Sequence, residues 1–563
     1  MNRSQGFGTA RRIFTTLALL GPATLAFSAE PALSEAACTS DALKAGIKAS
    51  QVGEPVGGVT LDAFRWVAAS GNTPAHCMVN GSILPVDKAD TARPIRFGVA
   101  LPAQWNRRAV HLGGGGMNGT VPGLASGFGG AGHLAQGFAT YGSDSGHATG
   151  DTQWALNDEA IRNFGYLQLK KTHDVAMVLV ERAYGARPQF NYFVGTSQGG
   201  REGLTVAQRY PADYHGVMST VPIVGFSSLM MSRAHMRIQE VPLGNRVPPA
   251  KAAAVVAEFM RRCDKLDGLA DGIMGNYFDC RAIFNINDGI GERDPWAAKR
   301  CPGDVDPAPE DTSAAACLTS GQIETLHLFF SSRPADVTLA NGRRDFGMWA
   351  PTTSAALFVA QRFRGQEGAP ADARFFSNQG TIGVTGFVMQ DLAANPLDLD
   401  EKKYRARREQ VSGWLDSTDP DFSAFRRRGG KLLVTIGTDD TTAASGEQLN
   451  FYQTVLDRMG REAVDSFARL YVIPQGGHGL SGRSATVNGD GEAVPQLQVP
   501  SNADRFALLR NWVENGKAPG RSEVVTAGER SMPMCSYPEY PRYTGGDAAQ
   551  AASWACTAPS SLK

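Results

Sequence analysis

The 563-residue chain carries no surplus of either charge: Lys and Arg together number 55, as do Asp and Glu. With no basic excess to neutralise phosphates, a nucleic-acid partner is not expected. None of the eight cysteines stands in a Cys-x-x-Cys pair, so the usual spacing for a zinc site or a thioredoxin-like redox pair is missing. Internal repeats and biased tracts are absent too. After the first residues no apolar run is long enough to span a bilayer, so no membrane anchor is expected. What remains is the composition of a globular protein, hydrophobic 42% and charged 20%, in a chain too long for one ordinary domain.

The first residues read as a targeting segment. Arg3, Arg11 and Arg12 precede an apolar run from Ile13 to about Phe27, and Ala26-Phe27-Ser28 is a small-x-small cleavage site. Arg11-Arg12-Ile13-Phe14 is also a loose match to a twin-arginine signal. A signal peptide over residues 1–28 and a secreted or periplasmic protein are therefore expected. All eight cysteines follow that cut, and an even count in an exported chain predicts four disulfides. Spacing alone leaves their connectivity open, with pairing in sequence order the simplest arrangement.

Short apolar strands are expected at Ile95–Leu101, Ala109–Leu112, Phe138–Ser143, Tyr192–Gly195, Lys431–Gly437 and Ala468–Ile473. Val59–Val67 and Cys77–Leu84 are shorter elements feeding them. Tyr166–Tyr184 and Asp504–Asn515 carry helical patterns. Strands alternating with helices predict an α/β fold with a parallel sheet. The strand signal is interrupted over residues 224–429, a block read as an inserted lid. The core is thus split into residues 29–223 and 430–563. The tail after Pro519 is rich in Pro and Ser, with Cys535 and Cys556 expected to staple it.

The organising stretch is Gly195-Thr196-Ser197-Gln198-Gly199, between an apolar strand and a helix from Arg201 to Tyr210. Gly-x-Ser-x-Gly at a strand-to-helix turn thrusts the serine hydroxyl out of the sheet edge. An attacking serine needs a base, and the base needs a carboxylate to hold its tautomer. In the hydrolase layout acid and histidine follow the serine in that order, each after a strand. Asp439-Asp440 follows the strand ending at Gly437, and His478 follows the strand ending near Ile473. Asp440 is preferred to Asp439, although either could cap the helix starting near Ser445. His111, His133 and His147 read as core or loop histidines.

The run Gly113–Gly116 also follows a strand. As a phosphate loop it fails, because no Gly-Lys-Ser/Thr comes after it. As an oxyanion loop it suits, with the Gly116 and Gln198 N–H groups as the donor pair. Cys263–Ile273 sets Asp264, Asp267 and Asp271 in a tight loop with glycines. Mutual repulsion there would be relieved by Ca²⁺, held by the three carboxylates and the carbonyls of Leu269 and Ile273. A solvated acidic turn is the alternative.

These motifs together resemble the tannase/feruloyl esterase family, which includes mono(2-hydroxyethyl) terephthalate hydrolase-like enzymes. The resemblance rests on Trp105-Asn106 with the glycine run, Ser143–His147, Gly195–Gly203 and the loop Cys263–Ile273. It extends to Gly437–Asp440, Pro474–His478, and Cys535–Pro538 with Tyr543. It implies an α/β-hydrolase core with a large inserted lid domain bearing structural calcium. It also implies hydrolysis of small aromatic carboxylic esters of the feruloyl or galloyl kind. Ser197, Asp440 and His478 are its implied catalytic residues, and Cys38–Cys77, Cys263–Cys280, Cys301–Cys317 and Cys535–Cys556 its implied disulfides. One departure stands out. The family usually places a disulfide between the residue before the serine and the residue after the histidine, and here those positions are Thr196 and Gly479. The rivals are a terephthalate half-ester hydrolase and a hydrolase fold that binds without catalysis.

Overall fold

Runs of apolar β-formers ending in glycine or a small polar residue build the centre of the molecule. The computed structural model describes residues 32–126, 132–240, 242–287, 293–354 and 382–562, with Met1 and Gly6. Apart from those two residues, the expected export segment lies outside the described residues. Among the described residues, eleven strands form one sheet. They are β1 (Gly58–Val67), β2 (His76–Leu84), β3 (Ile95–Pro102), β4 (Arg108–Leu112), β5 (Ala139–Ser143) and β6 (Phe190–Thr196). After them come β7 (Gly216–Thr220), β8 (Lys431–Gly437), β9 (Ala468–Ile473), β10 (Ser522–Ala527) and β11 (Arg530–Ser536). Their order across the sheet is β1-β2-β3-β5-β4-β6-β7-β8-β9-β11-β10. From β5 to β9 every pairing is parallel. The flanking pairings are antiparallel.

The parallel strands are apolar on both faces because helices cover both. The helices are α1 (Gln168–Tyr184), α2 (Gln198–Arg209), α3 (Phe226–Gln239), α4 (Ala252–Cys263), α5 (Ser320–Phe330), α6 (Arg405–Leu415), α7 (Ser445–Met459) and α8 (Arg505–Asn515), with shorter ones between. Successive strand side chains point to opposite faces. Accordingly Phe193, Val217, Val434 and Val472 pack with Leu204 of α2 and Phe451 of α7. Their neighbours Tyr192, Val194, Leu433 and Tyr471 pack with Phe506 and Leu509 of α8. A third core joins Val79, Val99 and Tyr141 to Val175 and Leu179 of α1.

Between β7 and β8 the described residues add no strand to this sheet. They are helical and irregular, with a short pairing of Arg333–Pro334 with Asp345–Phe346 and an isolated bridge between Arg300 and Leu318. This inserted segment has its own aromatic core around Phe259, Phe284, Trp296 and Phe330. Buried polar ties hold it to the sheet. The Arg201 guanidinium, from α2, donates to Leu415 O at 3.0 Å and to Gly165 O at 2.8 Å.

The tail holds more structure than its Pro- and Ser-rich composition suggests. Ser522–Ala527 and Arg530–Ser536 extend the main sheet past β9. A further hairpin pairs Tyr540–Tyr543 with Trp554–Thr557. The disulfides pair in sequence order: Cys38–Cys77, Cys263–Cys280, Cys301–Cys317 and Cys535–Cys556.

Candidate active site

β6 drives straight into α2 with no connecting loop, and Ser197 is the single residue between them. Its backbone takes φ 63° and ψ −119°. That region is costly for any residue but glycine and persists only where the surroundings enforce it. Here they do. A methyl group on Gly195 would stand 2.1 Å from Gly199 O, so strand and helix pass too closely for a side chain. Ser197 N–H donates to Thr220 O at 2.9 Å, which locks the turn onto the end of β7. Ser197 thus sits at the N-terminus of α2, where the helix dipole favours negative charge.

The turns after β8 and β9 pack on one another. A side chain at Gly437 would meet Gly476 O at 2.1 Å, and Asp439 N–H donates to Gly476 O at 2.9 Å. This close approach brings His478 to Asp440. His478 Nδ1 lies 3.0 Å from both carboxylate oxygens of Asp440. Asp440 is buried, and its Oδ1 also accepts Thr442 N–H at 2.8 Å and Ala443 N–H at 3.0 Å. Burial works to lower the His478 pKa, but the hydrogen bond and charge of Asp440 outweigh it and leave the imidazole above its ordinary value.

The neighbouring carboxylate has a different task. Asp439 faces the inserted segment, accepting Thr353 N–H at 2.8 Å, Thr353 Oγ1–H at 2.7 Å and Ser354 Oγ–H at 2.9 Å, with Thr352 Oγ1 beside them. Burial raises its pKa against the pull of those donors. It neither reaches His478 nor caps α7. Sequence reasoning missed this role because Thr352–Ser354 are remote in the chain.

The glycine run folds against the serine turn: a methyl on Gly199 would stand 2.7 Å from Gly114 O. Two of its N–H groups are engaged, Gly113 with Val194 O and Gly114 with Glu202 Oε2, each at 2.9 Å. Among the described residues no acceptor meets the N–H groups of Gly115, Gly116 or Gln198, and Gly116 has φ 58°. The sequence-predicted pair, Gly116 and Gln198, therefore comes from the donors left over. His111 is a core histidine bonded to Tyr214 Oη at 2.7 Å. His147 is buried, stacked on Trp154 at 3.9 Å, with Nε2 bonded to Met117 O at 2.7 Å. Burial depresses its pKa to about 4. His133 packs edge-on to Phe138 and Phe506, and burial lowers it to about 4 as well.

The aspartate loop lies against the histidine turn. Gln475 donates from Nε2 to Gly272 O at 3.1 Å and accepts Met274 N–H on Oε1. Asp264 and Asp267 are fully buried, and Asp271 is half-buried with an Oδ2 that meets no hydrogen-bond donor. Desolvation first, then neighbouring carboxylates, pushes Asp267 well up and Asp271 to about 6. Backbone N–H groups hold one or both oxygens of each: Gly272 and Gly489 on Asp264, Leu269 and Gly275 on Asp267, Ile273 on Asp271.

Comparison with known proteins fits this geometry. The model of the family described as tannase and feruloyl esterase matches residues 77–557. The chain belongs to that family. An uncharacterised esterase of Agrobacterium fabrum is 31% identical, covering 97% of this chain and 98% of its own. The mono(2-hydroxyethyl) terephthalate hydrolase of Piscinibacter sakaiensis is 28% identical, over 88% of this chain and 87% of its own. In fold, the crystal structure of feruloyl esterase B from Aspergillus oryzae matches with a TM-score of 0.71 at 23% identity, over 90% of this chain and 98% of that one. The protein is a carboxylic ester hydrolase with an α/β-hydrolase-type fold. No helix among the described residues is long and apolar enough to cross a membrane.

Proposed function

We propose that this esterase is an exported serine hydrolase that cleaves small aromatic carboxylic esters through an acyl-enzyme. The observation that carries the reading is the hydrogen bond of His478 Nδ1 to Asp440, at the same edge of the parallel sheet as a serine held in a strained strand-to-helix turn. With Nδ1–H donated to the carboxylate, the lone pair of His478 is on Nε2. Ser197 Oγ attacks the carbonyl carbon, Nε2 takes its proton, and the carbonyl π electrons move onto oxygen. Gly116 and Gln198 N–H groups stabilise that oxyanion. Collapse expels the alcohol, protonated by Nε2–H, and water repeats the sequence to release the acid.

Aromatic acyl groups are favoured because the relatives' names include feruloyl esterases and a terephthalate half-ester hydrolase. Ile223, whose N–H reaches Ser197 O, and Met117, next to Gly116 in the chain, also join the aromatic core of the inserted segment. That segment, residues 224–429, acts as a lid over the site. Four disulfides suit an oxidising compartment outside the cytoplasm. The aspartate loop suits a structural Ca²⁺ held by Asp264, Asp267 and Asp271 with the carbonyls of Leu269 and Ile273. The bare Asp271 Oδ2 and the raised carboxylate pKa values are what such an ion would relieve.

Rates on methyl ferulate, methyl gallate and mono(2-hydroxyethyl) terephthalate test the substrate class. A preference for one of the first two supports a phenolic-acid esterase, and preference for the third supports the half-ester reading. Activity confined to short aliphatic esters would contradict both.

A further inference from the structure

Reading Ser197 as the nucleophile leaves one charged group unused, directly beneath the glycine run. Glu202, in the second turn of α2, is 1% exposed. Its Oε2 accepts Gly114 N–H at 2.9 Å, and its Oε1 accepts Asn118 Nδ2–H at 2.6 Å and Gln168 Nε2–H at 3.2 Å. All three partners present N–H groups, which suit a carboxylate, a group that only accepts. Burial raises the carboxyl pKa, while Arg201 and the N–H donors oppose that rise. The network also reaches the end of β5. Asn118 Nδ2 donates to Ser145 Oγ, and Ser143 Oγ–H donates to Gln168 Oε1 at 2.6 Å. Contact closes the arrangement from the other side, because a methyl on Gly113 would lie 2.7 Å from Gly199 Cα.

We propose that Glu202 is a positioning residue: it clamps the glycine run to the helix that carries Ser197, so that the loop's free N–H groups and Gln198 N–H meet one substrate oxygen. Through Asn118, Gln168, Ser143 and Ser145 it gives the loop and the nucleophile turn a single frame. The inference rests on the assignment of Ser197 and the oxyanion loop proposed above. It goes beyond that assignment by giving the oxyanion hole a buried anionic support. Replacing the carboxylate with an amide keeps length and volume but turns an NH₂ group toward N–H donors. Either Gly114 N–H loses its acceptor or Asn118, whose Oδ1 meets no donor, must turn its amide over and break its bond to Ser145; both disturb the loop, and the transition state loses more than the bound ester does.

The test is Glu202→Gln in the full chain, assayed on a 4-nitrophenyl aryl ester, with phenylboronic acid as a probe of the tetrahedral anion. Loss of one oxyanion donor typically costs about 10²–10³-fold in kcat. A drop of roughly 100-fold in kcat is therefore expected, with KM within about 3-fold and phenylboronate affinity weakened in parallel with kcat. A folded Glu202→Gln enzyme with wild-type kcat and boronate affinity would overturn the proposal. So would equal loss in KM and boronate affinity, which marks general damage to the pocket. If that variant does not fold, Asn118→Ala removes one arm of the clamp. It should show the same selective loss, about 10-fold by the same reasoning, and unchanged kcat and boronate binding would again overturn the idea. Ser197→Ala run alongside separates the two readings: an active Ser197→Ala enzyme refutes the nucleophile, whereas an inactive one beside a normal Glu202→Gln enzyme refutes the clamp alone.

Discussion

Two adjacent aspartates with different partners allow a sharp test by near-isosteric substitution. Asp440→Asn keeps the volume but removes the charge that holds His478. The amide can still accept Thr442 and Ala443 N–H on one oxygen. Its NH₂ group then faces Nδ1 and favours the tautomer with the proton on Nε2, where the base is needed. In serine proteases the corresponding change costs about 10⁴-fold in kcat, and a loss of that order is expected here. Asp439→Asn should behave otherwise. Three of its donors are hydroxyls, which can rotate to accept from an amide, and one oxygen remains for Thr353 N–H. The cost is that of a weakened charged hydrogen bond, about 1.5–3 kcal/mol, falling on attachment of the inserted segment. Asp439→Asn should therefore lower the melting temperature while kcat stays within roughly 10-fold, about 1.4 kcal/mol in barrier. The assay is kcat and KM on one aryl ester with a thermal melt of each variant. A larger kcat loss in Asp439→Asn than in Asp440→Asn would refute the division of labour.

Three further outcomes follow from the same geometry. Catalysis needs neutral His478, and its pKa is raised, so the acid limb of kcat/KM should have its midpoint above 6.5 and move down in Asp440→Asn; a midpoint below 6.5 in the wild type would contradict this. Chelation of calcium should lower the melting temperature, since a ligand bound only to the folded state stabilises it by mass action, and activity should fall with it because Gln475 ties the aspartate loop to the histidine turn. Purified protein free of calcium and indifferent to chelator would count against the ion. Thr196→Cys with Gly479→Cys should form a disulfide, since a serine and its base that share a hydrogen bond bring their chain neighbours together; two free thiols in the oxidised, folded variant would place His478 too far from Ser197, beyond the roughly 7 Å Cα separation that a disulfide spans.

The strands most visible in the sequence are those buried on both faces. Lys431–Gly437 and Ala468–Ile473 coincide with β8 and β9, because a continuous apolar run has no other use there. β10 is hidden for the opposite reason: it is an edge strand, with Ser522, Val524 and Thr526 exposed. β11 carries Pro533, which argues against a strand when read alone but is tolerated because β9 pairs only with Cys535 and Ser536, leaving Pro533 unpaired on that side. In the site, chain order pointed to Ser197, Asp440 and His478, since each follows a strand. In the sequence Asp440 is already preferred to Asp439, but the separate task of Asp439 lies in partners far away in the chain, Thr352–Ser354. Glu202 went unnoticed because a glutamate in a helix ordinarily faces water. A signal did exist: Gly195 to Gly203 holds four glycines, a density that implies tight packing around whatever charge lies within it.

The central claim is that Ser197 is the nucleophile and His478 its base. Labelling the full chain with a fluorophosphonate probe, then mapping the modified peptide, tests it most directly. The account predicts modification at Ser197 alone, abolished in Ser197→Ala and strongly slowed in His478→Ala, with turnover in both variants down by a factor on the order of 10⁶. Label on another residue, or a Ser197→Ala enzyme that still hydrolyses an activated aryl ester at near wild-type rate, would contradict it.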